Sequence, residues 1–283
     1  MLALRRHFRL VLMLAAALAA AAPGAVRAQG KLEARYSATL AGIPIGKGSW
    51  VVDITDTRYM AAASGSTTGL VRAFTGGRGT SASHGTLHAG QPQSSTYAST
   101  IVNSKRSDEV RLTVNNGIVK DSKLDPPLET GPDYVPITDE HRKGILDPMT
   151  ASLLRTPGTG DPLSQEACQR TMAIFDGRMR YDLQLAFKRM DQVKADTGYT
   201  GPVVVCAVYF SPIAGYIPTR TAIRYIARQR DIEVWLAPIA GTRVLVPFRA
   251  QGPTPIGRFM VEATQFVSTP LPTRASANGV KTQ

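Results

Sequence analysis

Residues 171–187 read "TMAIFDGRMRYDLQLAF", and the punctuation of this stretch decides the fold class. Met172 and Ile174 alternate with small or polar neighbours, Asp176-Gly177 interrupts the run, and Met179, Tyr181, Leu183 and Leu185 alternate on the return. A period of two sends successive side chains to opposite faces of a strand. Asp-Gly tolerates the positive φ angles of a two-residue turn, so the stretch predicts a β-hairpin. Residues 108–124 repeat the grammar. Val110, Leu112 and Val114 alternate, Asn116-Gly117 turns, and a second run starts at Ile118.

Working outward, residues 31–40 and 47–55 read as strands around the turn Gly42-Ile43-Pro44-Ile45-Gly46. Residues 58–74 and 78–87 are rich in Ser, Thr, Ala and Gly and flank Gly76-Gly77, and 94–103 alternates around Tyr97. Near the C-terminus "IEVWLAPI" (232–239), "TRVLVPF" (242–248) and "GRFMVEATQFV" (257–267) add three more runs. Short, regularly punctuated strands predict a mainly β protein, an antiparallel curved sheet or half-open barrel with a few short helices. Asp147-Pro148-Met149 opens a helix reaching Leu154, with Asp as N-cap and Pro at the first position. Residues 219–230 fit a helix or a strand. Residues 124–160 are rich in Pro and Gly and link parts of the sheet or cover it as a lid. The expected organisation is a signal peptide over 1–28, a single β-rich domain over 29–269 and a polar, disordered tail over 270–283.

The first residues predict export. Arg5, Arg6 and Arg9 precede an apolar run over 10–22, and Val26-Arg27-Ala28 places small residues for cleavage between Ala28 and Gln29. That is the pattern of a secretory signal peptide. No cysteine follows the apolar run, which closes lipoprotein attachment, and no later stretch is apolar enough to span a bilayer. The mature chain is therefore expected in the periplasm without a transmembrane span. In that oxidising space the two cysteines, Cys168 and Cys206, are expected to form a disulfide. No histidine partner or ligand cluster lies near either thiol to suggest a nucleophile or zinc site.

The full chain counts 33 basic and 21 acidic side chains, and loss of four arginines with the signal leaves about +8. Such a balance favours anionic partners such as lipid or other envelope components. Nucleic acid is not expected, since the sequence has no long basic run and no binding motif.

Enzyme templates find no match. Gly-x-Ser-x-Gly, His-Glu-x-x-His, phosphate loops and calcium loops are all absent. His84 and His88 share a strand face, but no third ligand accompanies them, so no metal is expected. Asp108-Glu109 and Asp139-Glu140 are neighbours that point apart. Asp176, Asp147 and Asp161 are explained by turns and caps. Arg224, Arg228 and Arg230 form a basic cluster suited to a phosphate or carboxylate, or to a solvated rim beside Asp231 and Glu233. Trp50, Tyr97, Tyr181, Phe187, Tyr209, Phe210 and Trp235 are expected to line the inner face of the sheet, around a packed core or a cavity. No catalytic residue, no ligand-binding residue and no cofactor is assigned.

The runs "CQRTMAIFDGRMRYDL", "VVVCAVYFSPIAGY" and "DIEVWLAPIAGTRVLVPFR", with "YSATLAGIPIGKGSW" near the start, resemble domain-of-unknown-function family 3108. These are exported envelope proteins of Gram-negative bacteria, here of the alphaproteobacterial type, and the likeness covers roughly residues 31–267. The resemblance implies an envelope location and a mostly β fold similar to the half-open barrel of periplasmic lipoprotein carriers. It supplies no catalytic residue. The expected function is a periplasmic protein without enzymatic activity that binds an apolar or lipid-like ligand or supports envelope maintenance. A non-catalytic scaffold acting through protein contacts is the alternative, and an envelope hydrolase ranks below both.

Overall fold

The computed structural model describes residues 29–69, 76–128 and 130–271. The expected signal peptide over 1–28, including the Ala28 side of its cleavage point, lies outside the described residues. Of the tail expected over 270–283, Pro270 instead ends a strand paired with Gly30, and Leu271 N donates to the Gln29 carbonyl (3.1 Å). The rest, from 272 onward, also lies outside the described residues.

Fifteen strands form one sheet: β1 Gly30–Leu40, β2 Ile43–Ile54, β3 Arg58–Thr67, β4 Arg78–His88, β5 Gln91–Val102, β6 Ser107–Asn115, β7 Ile118–Asp125, β8 Leu154–Arg155, β9 Arg170–Phe175, β10 Arg180–Lys194, β11 Thr197–Gly198, β12 Thr200–Ala214, β13 Glu233–Pro238, β14 Val244–Thr254 and β15 Gly257–Pro270. The order across the sheet is β7-β6-β5-β4-β3-β2-β1-β15-β14-β13-β12-β10-β9, with β8 on β14 and β11 on β15. All pairings are antiparallel except the short β11–β15 contact. Among the described residues there are two α-helices, α1 Pro148–Ala151 and α2 Thr221–Arg228.

The hairpin turns follow local chemistry. Ala41-Gly42 (φ 50° and 81°), Ala89-Gly90 (49° and 77°) and Asn116-Gly117 (48° and 71°) supply the paired positive φ of two-residue connections. Two turns differ from expectation. The first hairpin turns at Ala41-Gly42, and residues 43–46 already belong to β2. An extra residue at Ile45 bulges the strand beside Pro44, whose missing N–H would otherwise break the ladder. At 176–177 the connection is four residues long, because Phe175 pairs with Arg180. Asp176 Oδ1 accepts the N–H groups of Arg178 (2.8 Å) and Met179 (2.7 Å), a side-chain turn in place of a two-residue one.

Burial raises the Asp176 carboxyl above its ordinary value of 3.8, against the opposing pull of those N–H groups and of Arg178. A raised native value stabilises the fold at low pH, and that contribution is lost as pH rises through it. Asp176→Asn keeps the accepting oxygen and removes the charge. The variant is expected to unfold at higher denaturant than the parent at pH 7, with the gap closing below about pH 4. Equal midpoints at both pH values would refute it.

The sheet curls without closing. The tip of the β10–β12 hairpin crosses to β15, where the Tyr199 N–H donates to the Phe266 carbonyl (2.8 Å). Its edges are β7 and β9, and the Pro-rich segment after β7 runs between them. Ile145 N donates to the Gly117 carbonyl (3.0 Å) at the β6–β7 turn, and Leu146 exchanges backbone bonds with Ala173 and Phe175 of β9. A polar edge is thus covered by chain from the same molecule.

Burial explains the "VVVCA" run. Val203 and Val205 face the inner core with Trp235, Val246 and Phe248, whereas Val204 and Cys206 face a second core with Leu185, Leu236 and Leu245. That outer core is roofed by Leu154, Leu163, Ala167 and Cys168. A strand covered on both faces reads as continuously apolar. The Cys168–Cys206 disulfide (Cα–Cα 5.4 Å) fastens the roof to the sheet.

Candidate functional site

The inner face is packed over most of its area and open at one end, and the sequence of β1 to β4 accounts for the opening. Cross-strand register places Tyr36, Gly48, Gly65 and Gly79 in one row, and Ala34, Trp50, Ala63 and Ser81 in the next. Ala38 and Gly46 continue the pattern toward the first turn. Small side chains on a concave surface leave its interior unfilled. The result is an apolar cleft of ≈ 480 Å³ between β1, β2, β3, β14, β15 and α1.

Its walls are held by specific contacts. The Tyr36 hydroxyl donates to the Pro247 carbonyl (2.8 Å), fixing the ring between β1 and β14, and burial pushes this phenol up. Met149 and Ser152 close one side. Lys47 is the one charged residue lining the cleft among the described residues. Trp50, only 7 % exposed, lines it as well, and its indole Nε1–H is shielded from solvent with no acceptor among the described residues. A buried donor without a partner is a costly feature, of order 1–3 kcal/mol.

Helix α1 is anchored by a buried polar network. Asp147 Oδ1 caps the helix, accepting from Met149 N (2.9 Å) and Thr150 N (3.0 Å). Asp147 Oδ2 accepts the hydroxyls of Ser83 (3.0 Å), Ser94 (2.5 Å) and Thr150. With those three protons committed to the carboxylate, the Tyr59 hydroxyl donates to Thr150 Oγ1. Burial, then the Asp147 charge, push the Tyr59 phenol up to about 12. All five side chains are buried. A carboxylate ringed by hydroxyls resembles the makings of an acid–base site, but no member reaches solvent, so the network serves to pin α1 against β4 and β5.

The other residues singled out in the sequence are dispersed. His84 and His88 are exposed on the outer face of β4. Among the described residues no group of three His, Cys, Asp or Glu side chains gathers to hold a metal. Trp50, Tyr97 and Trp235 lie inside as expected, and Tyr181, Tyr209 and Phe210 are half-buried. Phe187 corrects the aromatic reading: it is 40 % exposed on β10 and shares, in unbroken register, the face that Leu185 turns toward the outer core. Residues 219–230 form a helix rather than a strand, and the expected helix over 147–154 is a single turn before the chain extends into β8. Glu233 does not pair with the basic cluster at 224–230. Burial works against its charge, but Arg189 (3.1 Å) and Lys188 hold its carboxyl below the usual range.

The family model described as "Protein of unknown function (DUF3108)" matches residues 35–264. No curated protein matches the chain. Among solved structures the chain is similar to the crystal structure of a beta-barrel-like protein of domain of unknown function DUF1849 from Brucella abortus, at 11% identity and a TM-score of 0.47, with 86% of this chain and 99% of that chain covered.

Proposed function

The chain belongs to the DUF3108 family of proteins of unknown function, and from that premise we propose that it is a periplasmic, non-enzymatic binding protein for a lipid-like ligand. The cleft beside Trp50 is the site. The carrying observation is an apolar cleft of ≈ 480 Å³ lined by Tyr36, Trp50, Met149 and Val261, with Lys47 as the one charged residue among its described lining. That volume lies in the range of small-molecule sites. The matching ligand carries an apolar body and one anionic group, such as a carboxylate, for Lys47. The signal-peptide pattern and the disulfide support an exported location. The sealed state of the Asp147 network supports binding without catalysis, and no cofactor enters the proposal.

Ala63 pairs with Trp50 across β2 and β3 and lines the cleft, so Ala63→Trp places an indole there. Binding of a fluorescent fatty acid by the parent is expected to fall at least tenfold in Ala63→Trp, and by about fivefold in Lys47→Gln, which loses the cation. Parent protein that neither binds this probe nor carries a lipid in native mass spectrometry would exclude the reading. One observation favours a second reading, contact with a protein: Met60 is 59 % exposed on the outward face of β3. Crosslinking from Met60→Cys to a single stoichiometric partner would decide for it.

A further inference from the structure

We propose that α2 and the small pocket at its foot form a docking surface for an anionic phospholipid membrane, with the pocket receiving a lipid phosphate. No residue of this surface lines the Trp50 cleft, so the inference stands independently of the ligand proposed there.

Four arginines, Arg220, Arg224, Arg228 and Arg230, fall within residues 215–230, which contain no aspartate or glutamate. Arg224 and Arg228 are one helical turn apart on α2, and none of its eight residues is buried. Ile226 stands 39 % exposed on the same helix. Among the described residues, no carboxylate lies within ion-pair distance of Arg220, Arg224 or Arg228. Arg230 is held differently. It donates to the Ala227 (3.1 Å) and Gln229 (2.8 Å) carbonyls and lies over the Tyr209 ring at 5.7 Å. Arg224 and Arg228 lie on one side of α2 and Ile223 and Ile226 on the other. A helix so divided with no residue buried suits a membrane interface, with the cations among headgroups and the apolar side at the acyl boundary.

The pocket adds a second, independent observation. Its volume is ≈ 180 Å³, and Arg106, Arg178, Arg220 and Tyr134 contribute to its lining. Arg106 makes a two-bonded pair with Asp108 (2.6 and 2.7 Å), and Arg178 approaches the same carboxylate at 3.3 Å. Among the described residues, three guanidinium groups therefore line the pocket against one carboxylate in contact with them. Among the described residues the hydroxyl of Tyr134, a lining residue, is shielded from solvent and has no hydrogen-bond partner. A phosphate oxygen would accept that hydroxyl proton, and arginine's planar fork matches phosphate geometry. Charge complementarity selects an anionic headgroup over a neutral one. The exposed isoleucine on the side of α2 opposite the arginines selects a membrane over a soluble polyanion.

The test uses protein purified from the periplasm of cells exporting the full chain. Co-sedimentation with phosphatidylglycerol-containing vesicles is compared with phosphatidylcholine vesicles, and both are compared with titration of inorganic phosphate. The parent is expected to sediment with anionic vesicles only, more weakly as salt rises. Arg224→Gln/Arg228→Gln preserves helix propensity and is expected to weaken binding by roughly 25-fold, about fivefold per arginine. Arg220→Gln/Tyr134→Phe is expected to weaken binding to anionic vesicles, and Ala63→Trp in the cleft to leave it unchanged. Equal binding to neutral vesicles, unchanged binding in the arginine variants with native circular dichroism, or phosphate binding without vesicle binding would each overturn the proposal.

Discussion

Asp147→Ala is expected to lower the free energy of unfolding by about 3–5 kcal/mol, which is a large effect for one side chain. The size follows from what the carboxylate does. One oxygen caps α1 through two backbone N–H groups, a role whose loss costs about 1 kcal/mol. The other accepts three buried hydroxyls, from Ser83, Ser94 and Thr150. Each buried donor left without an acceptor adds roughly 1–3 kcal/mol, tempered by hydroxyl reorientation within the cluster. Asp147→Asn keeps the cap but turns an amide donor toward the three hydroxyl donors, so about half the loss is expected there. Denaturant midpoints at constant m provide the measurement. The variant should also loosen Met149, which packs against both the inner core and the cluster around Tyr97, and so weaken any ligand in the cleft. A loss under about 1 kcal/mol would show that α1 is held by apolar packing alone.

The second large effect belongs to the disulfide. Cys168 and Cys206 are separated by 38 positions, and closing that loop is worth roughly 4 kcal/mol in the chain-entropy account. For a protein of this size the equivalent fall in melting temperature is roughly 8–16 °C. Cys168→Ala/Cys206→Ala is expected to show it, and so is unfolding in reductant. Both sulfur-bearing residues are fully buried, so reductant should act only as fast as the roof over β12 opens. Loss of the tie should expose the 154–168 segment to protease before the rest of the sheet, because that segment covers the outer core. A double variant that melts with the parent would place the stability of the roof in its apolar contacts.

Local grammar carried the strand reading a long way, as the second hairpin shows. Val110, Leu112 and Val114 point to one core because alternation is a property of the backbone, and Asn116-Gly117 takes positive φ because its own side chains permit it. Where such a reading failed, a neighbour had intervened. Gly177 packs against Val110, Leu112 and Leu124 of the distant hairpin, and the Asp176 side chain supplies a longer turn than the dipeptide alone implies. Phe187 kept parity with Leu185 and both face outward: alternation groups residues on one side without saying which side the sheet turns inward.

The candidate sites were legible only in their parts. The abundance of Ala, Ser and Gly over 58–87 was visible, but its consequence required register: only when Gly48, Gly65 and Gly79 line up beside Tyr36 does small become hollow. Trp50 stood among the aromatic residues, yet nothing in the chain says that its N–H finds no acceptor. The arginines of α2 were a cluster by spacing alone, whereas Arg106, Arg178 and Tyr134 meet Arg220 only through the fold.

By itself the sequence determined the class of fold, most strand and turn positions and the pairing of the two cysteines, because alternation, turn dihedrals and thiol count are short-range or exhaustive properties. Tertiary structure decided the open end of the sheet, the sealed Asp147 network and the gathering of cations around Tyr134. Each of these depends on which distant backbone a side chain meets, and that is set by register and curvature summed over thirteen consecutive strands.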